Sequence, residues 1–366
     1  MEKGISLYLG MENTLQENIT FLQSAAQFGI TRVFTSLQIP EAKHNQLSED
    51  LQKVLETCCQ LGLDVIADVS PAGLQKLQIQ EFSLEAIHQL GLRTIRLDDG
   101  FTLEDIASMS HNQLGIRLQL NASTLSQRDL QELKDLHCDF SQLEALHNFF
   151  PHCNTGLSEK FVYEKNCLFH SFGLSVGAFV PSFQNPRGPL YDGLPTLEIH
   201  RHTSFDFACR HLAAMGTDSI FIGDPLPSDL ELTDLSQVNN DSVTLKLFSM
   251  KDNNFNKALL THTFTTRPDV AQDVIRTIES RQYTGDILQK SGTQIEPDNN
   301  IFRPRGTVTV DNYGYQRYQG ELQITLTDLP ADERVNVIGC LDENEQLLLT
   351  YLKPQTKFKI LLNHVY

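Results

Sequence analysis

Residues 47–69 read LSEDLQKVLETCCQLGLDVIADV, and the change of period inside this stretch decides the fold class. Over 47–61, Leu47, Leu51, Val54, Leu55, Cys58 and Leu61 fall on one stripe at the spacing of an amphipathic helix. Gly62 follows, where a helix end takes a left-handed residue. Then comes LDVIADV (63–69), a nearly continuous apolar run that suits a strand covered on both faces.

The same unit repeats in both directions. Strands are predicted at ISLYLG (5–10), RVFTSL (32–37), TIRLD (94–98), IRLQLNA (116–122), LEALHNFF (143–150), LSVGAFV (174–180) and SIFIGD (219–224). Glycines 29, 62, 91, 115, 173 and 216 stand just before strands, and Thr14 with Glu17, and Thr102 with Asp105, read as helix-start caps. Eight β-then-α units predict a (β/α)8 TIM barrel over residues 1–236, in preference to an open doubly wound sheet. No GxGxxG follows the first strand, which argues against a dinucleotide site. Beyond GDP (223–225), PLPSDLELTDLSQVNNDS is polar and reads as a linker. A smaller, mostly β domain, read as a barrel, is expected over 237–366. Its strands are SVTLKLF, GTVTVD, GELQITLT, RVNVIGC, QLLLTYL and KFKILL, with one helix near 268–281.

With a formal charge of −17 and no run of Lys or Arg, the chain lacks the basic footprint that phosphate-backbone binding needs, so no nucleic-acid partner is expected. Seven scattered cysteines without a CxxC pair read as reduced thiols, and MEKGISLYLG lacks the pattern of a signal peptide, so a cytoplasmic protein is expected. No apolar stretch reaches the roughly 20 residues of a membrane helix, and no membrane partner is expected. Self-association into a homo-oligomer stays open.

In a barrel of this kind chemistry gathers at the C-terminal strand ends. Those ends offer Tyr8, Ser36, Asp68, Arg96, Asp98, Asn121, His147, Asn148 and Asp224, and the long loop after strand seven adds Arg187, Gly188, Glu198, His200 and Arg201. Carboxylates crowd this face, as glycosidic hydrolysis requires: one protonated to assist the leaving group, one ionised opposite it. The plainer alternative is that each acid caps a helix or pairs with Arg96 or Arg201. The cations around RGPLYDGLPTLEIHRH (187–202) suit an anionic group such as phosphate, or else pin a surface loop. No Lys ends a strand, no GxSxG occurs, and Glu198-x-His200 with Asp68 or Asp98 has no spacing diagnostic of a metal. Nothing calls for a cofactor. Trp is absent, so sugar stacking falls to Tyr8, Phe149 or Tyr191.

FTSLQIP (34–40), RLDDGF (96–101), NAST (121–124), HNFFP (147–151), TGLS (155–158), RGPLYDGLPTLEIHR (187–201) and IGDP (222–225) together resemble the bacterial 6-phospho-N-acetylmuramidase family, the MupG type of glycoside hydrolase family 170. RPRGTVTVDNYGYQRYQGELQI (303–324) and RVNVIG (334–339) are similar to that family's second domain. The resemblance implies a cyclophilin-like β-barrel as that domain. It also implies exo-acting cleavage of N-acetylmuramic acid 6-phosphate β-1,4-linked to N-acetylglucosamine, in cytoplasmic cell-wall recycling. The expected partner is thus a small phosphorylated disaccharide. Asp98 and Glu198 are then expected as the working carboxylates with Asp68 in reserve, and the remaining residues above as substrate contacts. The alternatives are a barrel glycosidase or lyase acting on another phosphosugar, and a non-catalytic binding protein. Relatives commonly read NFYPRPYTG where this chain has NFFPHCNTG (148–156), which points to a shifted substrate preference.

Overall fold

A computed structural model of the chain describes residues 1–36, 47–69, 82–97, 100–249, 253–291 and 294–362. It divides into two compact units, Met1–Val238 and Asn239–Tyr366. In the first, β1 (Glu2–Leu7), β2 (Arg32–Ser36), β3 (Asp64–Val69), β4 (Thr94–Leu97), β5 (Arg117–Asn121), β6 (Leu143–Leu146), β7 (Val176–Val180) and β8 (Ser219–Ile222) pair in parallel, each with the next. The last pairs with the first, giving the closed TIM barrel.

Alternation along the strands sorts the barrel interior into layers. On β2 and β3, Arg32 pairs in register with Asp64, Phe34 with Ile66 and Ser36 with Asp68. The first row is ionic. Arg32 is 3% exposed and donates to Asp64 at 3.1 Å and, across the barrel, to Glu144 of β6 at 2.6 Å. Gln119 of β5 donates to the same carboxylate at 2.6 Å. The middle layer is apolar, with Phe34, Ile66, Leu146, Phe179 and Phe221 in one buried cluster. It packs so tightly around Phe221 that a Cβ on Gly4 would come within 2.1 Å of that ring. The third row is polar again and opens the C-terminal face.

The expected linker holds a helix, Asp229–Gln237. Ser228 and Glu231 form its capping box, and Leu232 and Leu235 are buried. Its polar composition hid a short apolar stripe behind an S-x-x-E start.

In the second unit a seven-stranded sheet runs β10 (Thr263–Thr265), β15 (Lys357–Leu362), β9 (Val243–Ser249), β14 (Val335–Cys340), β12 (Thr307–Asp311), β13 (Leu322–Thr325), β11 (Val274–Arg276). Its two end strands meet: Thr266 bridges Thr277, and the Ile278 amide donates to the Thr265 carbonyl at 2.9 Å. Two expectations fail here. QLLLTYL is not a strand, because Asp342 caps a helix at Glu343–Leu348 that runs on into a tight turn at Leu349–Tyr351. The helix expected near 268–281 begins only at Ser280, since Val274–Arg276 pairs with β13. Among the described residues no helix is long and apolar enough to cross a membrane.

Removing Arg32 would strand the Glu144 carboxylate, whose side chain is 4% exposed, with Arg117 at 3.3 Å as its one remaining cationic partner among the described residues. Arg32→Ala is expected to cost about 3 kcal/mol in urea unfolding, with Arg32→Met/Glu144→Leu recovering most of the loss. Equal losses in the two variants would refute this account of the ionic row.

Candidate active site

The in-register row Ser36–Asp68–Arg96 forms the floor of the barrel mouth. Arg96 is 4% exposed and donates through Nη1 to Asp68 Oδ1 at 2.9 Å and through Nη2 to Asn148 Oδ1. Ser36 Oγ lies 3.5 Å from Asp68 Oδ2. The guanidinium thus keeps a buried carboxylate company and turns the Asn148 amide oxygen toward it, so that the Asn148 NH2 points away. Asp98, and Asp99 beside it, lie outside the described residues.

A second chain of hydrogen bonds backs the floor. Asn166 donates through Nδ2 to the Met215 carbonyl at 3.2 Å and to Thr217 Oγ1 at 3.3 Å, which leaves its Oδ1 as the acceptor facing His147 Nε2 at 3.1 Å. His147 therefore carries its proton on Nε2, and its Nδ1 accepts from the Ser123 hydroxyl at 3.3 Å. Ser123 Oγ in turn accepts the Asn148 N–H at 2.9 Å, and Asn121 Oδ1 accepts the Ser123 N–H at 3.0 Å. Burial pushes the His147 pKa down to about 4, so the ring is neutral at neutral pH. His147, expected as a substrate contact, is fully enclosed and reaches Asn148 through Ser123. Asn166 escaped the sequence reading, although it stands in the buried stripe Val162–Asn166–Phe169 of the helix Glu159–Ser171, where a polar residue is itself a signal.

The loop after β7 is folded by Asp224, at the end of β8. This fully buried carboxylate accepts the Ser182 and Leu194 amides on Oδ2, at 2.9 and 3.0 Å, and the Arg187 amide on Oδ1 at 2.9 Å. Burial raises its pKa, and the three amides work against that rise. The fold of this loop returns the Arg187 guanidinium over the Tyr8 ring, 4.4 Å from its centroid, and over Phe149 at 5.1 Å. Phe149 packs edge-on against Tyr8, Phe34 and Phe179. Tyr8 is itself buried and donates to the Gly223 carbonyl at 2.6 Å. Arg187 Nε is buried without a hydrogen-bond partner, and no described carboxylate forms an ion pair with its guanidinium. Gly188 lies close beneath two side chains, since a Cβ there would meet Glu12 Oε1 at 2.9 Å and Tyr191 OH at 3.0 Å.

Three expected site residues are spent elsewhere. Arg201 donates to Glu198 through Nε at 2.8 Å, and its other nitrogens reach the carbonyls of Asp192, Gly193, Phe150 and His152. Glu198 also accepts the Asn154 and Gly156 amides, both at 2.7 Å. Partial burial opposes ionisation of Glu198, but Arg201 and the two amides overcome it and hold the carboxyl down at about 2. Ionised and held by Arg201 and the two amides, it ties together the loops after β6 and β7. A Cβ on Gly156 would strike Glu198 Oε2 at 2.6 Å, which explains the glycine of TGLS. His200 is fully enclosed, 3.1 Å from His211 Nδ1, and burial together with His211 holds it neutral, so it offers no charge to an anion.

These shifts contribute to the acid stability. The contribution of neutral His147 is complete above the ordinary histidine range and is lost as pH falls from about 6.5 toward 4. That of ionised Glu198 is complete above the ordinary carboxyl range and is lost from about 4.5 toward 2. Glu198→Gln is expected to cost about 2 kcal/mol at pH 7 and to flatten the lower window in urea titrations, whereas His147→Gln flattens only the upper one. A Glu198→Gln curve parallel to wild type below pH 4.5 would contradict the assignment.

Residues 3–237 match the model of the 6-phospho-N-acetylmuramidase N-terminal domain, and residues 243–361 that of its C-terminal domain. A crystal structure of an uncharacterised B. cereus protein superposes with a TM-score of 0.85 at 29% identity, covering 98% of this chain and 99% of that one. A conserved Enterococcus faecalis protein of unknown function is 34% identical, with a TM-score of 0.68 over 99% of this chain and 97% of its own. A search of curated proteins gives no match. With both halves of its length matched to the two domains of one enzyme, the chain belongs to the 6-phospho-N-acetylmuramidase family, a family of glycosidases.

Proposed function

We propose that the protein hydrolyses N-acetylmuramic acid 6-phosphate β-1,4-linked to N-acetylglucosamine, from the phosphorylated end, as a cytoplasmic step of cell-wall recycling. The observation that carries the reading is Arg187. It is a guanidinium held on two aromatic faces at the barrel mouth, with a buried nitrogen unsatisfied and, among the described residues, no carboxylate in an ion pair with it. Such a group is completed by an anion, and the phosphate of the substrate supplies one.

Asp68, in an ion pair with Arg96, works as the second carboxylate of the site. It stabilises positive charge at the anomeric carbon, or orients the 2-acetamido group if that group attacks. Asp98, next in sequence after β4, takes the part of the acid and protonates the departing oxygen of N-acetylglucosamine. The C1–O bond breaks, water adds its hydroxyl to C1, and its remaining proton restores the acid. Asn148, aimed by Arg96 and by the His147 chain, presents its NH2 to a sugar hydroxyl or the acetamido oxygen. The second domain, whose sheet ends meet, carries the cyclophilin-like shape that the family resemblance implies.

Incubation with the phosphorylated disaccharide should release the two sugars, identified by mass. No product from it, with turnover of a different phosphosugar, would move the assignment to that substrate. Asp68→Asn is expected to lower kcat by about 10³-fold with substrate binding retained. Arg187→Met should shrink the preference for phosphorylated over unphosphorylated disaccharide by roughly 10–100-fold, the worth of a charge-assisted hydrogen bond. An unchanged preference would remove Arg187 from phosphate recognition.

A further inference from the structure

The turn that presents Arg187 also presents an aromatic side chain to solvent. The Tyr191 amide donates back to the Arg187 carbonyl at 3.2 Å, and Tyr191 holds a left-handed backbone, φ 59°, which a non-glycine residue rarely adopts. One side of its ring lies against Gly188, where a Cβ would come within 3.1 Å of Tyr191 Cζ. Its hydroxyl donates to Glu12 Oε1, in the loop that follows β1. The side chain is nevertheless 55% exposed. Tyr191 is therefore tethered at the backbone, at the ring and at the hydroxyl, while much of its ring remains open to solvent.

We propose that Tyr191 with Glu12 forms the subsite for the leaving, unphosphorylated sugar. The proposal rests on the hydrolytic reading above and adds the residues that recognise the second sugar. The other two aromatic candidates are excluded by their surroundings. Tyr8 is buried, and Arg187 covers both Tyr8 and Phe149. Charge supplies the polarity. Arg187 draws the phosphate to one end of the mouth, whereas the Glu12 carboxylate repels it and accepts from a neutral sugar's hydroxyls. The apolar C–H face of a pyranose packs on the open ring, and because the ring is already immobilised little side-chain entropy is lost on binding. Binding energy collected on this remote sugar can hold the glycosidic oxygen in place for cleavage.

The test compares wild type, Tyr191→Ala and Tyr191→Phe on two substrates: the phosphorylated disaccharide, and the β-methyl glycoside of the same phosphosugar, which lacks the leaving sugar. Tyr191→Ala should lower kcat/KM on the disaccharide by roughly tenfold or more, with a loss several-fold smaller on the methyl glycoside. Tyr191→Phe keeps the ring and should stay within about threefold of wild type on both, since it gives up one exposed hydrogen bond. Saturation-transfer NMR with free N-acetylglucosamine gives a readout independent of turnover, with ring-face signals on wild type that weaken on Tyr191→Ala. Equal losses on the two substrates, or an unchanged NMR response in a folded Tyr191→Ala protein, would overturn the proposal. So would a solution dimer that Tyr191→Ala dissolves with both rates intact. Failure of wild type to cleave the disaccharide would strike the hydrolytic reading instead, and the NMR experiment would still decide whether Tyr191 holds this sugar.

Discussion

The barrel mouth is shaped by the Asp224 carboxylate, buried where the ends of β7 and β8 meet and satisfied by three backbone amides of a single loop. Those amides belong to residues 182, 187 and 194, so one side chain fixes the path of the loop at three points. A carboxylate enclosed in this way would be costly without donors, and the loop amides would be costly without acceptors. Each therefore holds the other in place. The result at the site is Arg187 laid across Tyr8 and Phe149, a placement that needs a fixed backbone beneath it. Arg201 and Glu198 do the same for the neighbouring loops, tying residues 150–156 to residues 192–201.

The floor obeys a related constraint by different means. Its polar atoms face inward directly above an aromatic layer, where an unmet donor or acceptor is expensive. The answer is directional. From Thr217 and Met215 through Asn166, His147 and Ser123 to the Asn148 amide, each group donates or accepts in the one sense its neighbours allow. A neutral His147 is essential, because a protonated ring would offer Ser123 a second donor and break the order. The chain stiffens Asn148 from behind while Arg96 orients its amide from the side.

Legibility in the sequence followed the range of the interactions. Local ones could be read directly. Thr14 with Glu17 and Thr102 with Asp105 form the reciprocal caps their spacing predicts, and the six glycines placed before strands all take positive φ, from 71° to 92°. The barrel followed from that repetition. Residues 229–237 and 346–352 were misread because two or three apolar residues among polar ones carry a weak period, and in both cases the capping pair, Ser228–Glu231 or Asp342–Glu345, was the better guide. At the candidate site, composition singled out the loop after β7 and its charged residues but not how those residues partner one another. Nothing near Glu198 in sequence shows that the amides of residues 154 and 156 will saturate it, or that four distant carbonyls will consume Arg201. Those partners are brought in by the barrel, and only the folded chain reveals which cations remain unspent.

That remainder bears on specificity. The chain carries a net −17, and two of the guanidinium groups at the mouth are balanced, Arg96 by Asp68 and Arg201 by Glu198. Arg187 stands apart, partly dehydrated by aromatic faces and lacking a partner for Nε. With aromatic faces beneath it and one nitrogen unpaired, such a group can still gain from a ligand that brings negative charge. A neutral sugar would leave the buried Nε without an anionic partner. Discrimination built on an unsatisfied polar group is steeper than discrimination built on added apolar contact, because the wrong ligand incurs a desolvation cost as well as losing a bond. On the hydrolytic reading proposed above, the residue that would attract a phosphosugar would by the same means disfavour its unphosphorylated counterpart.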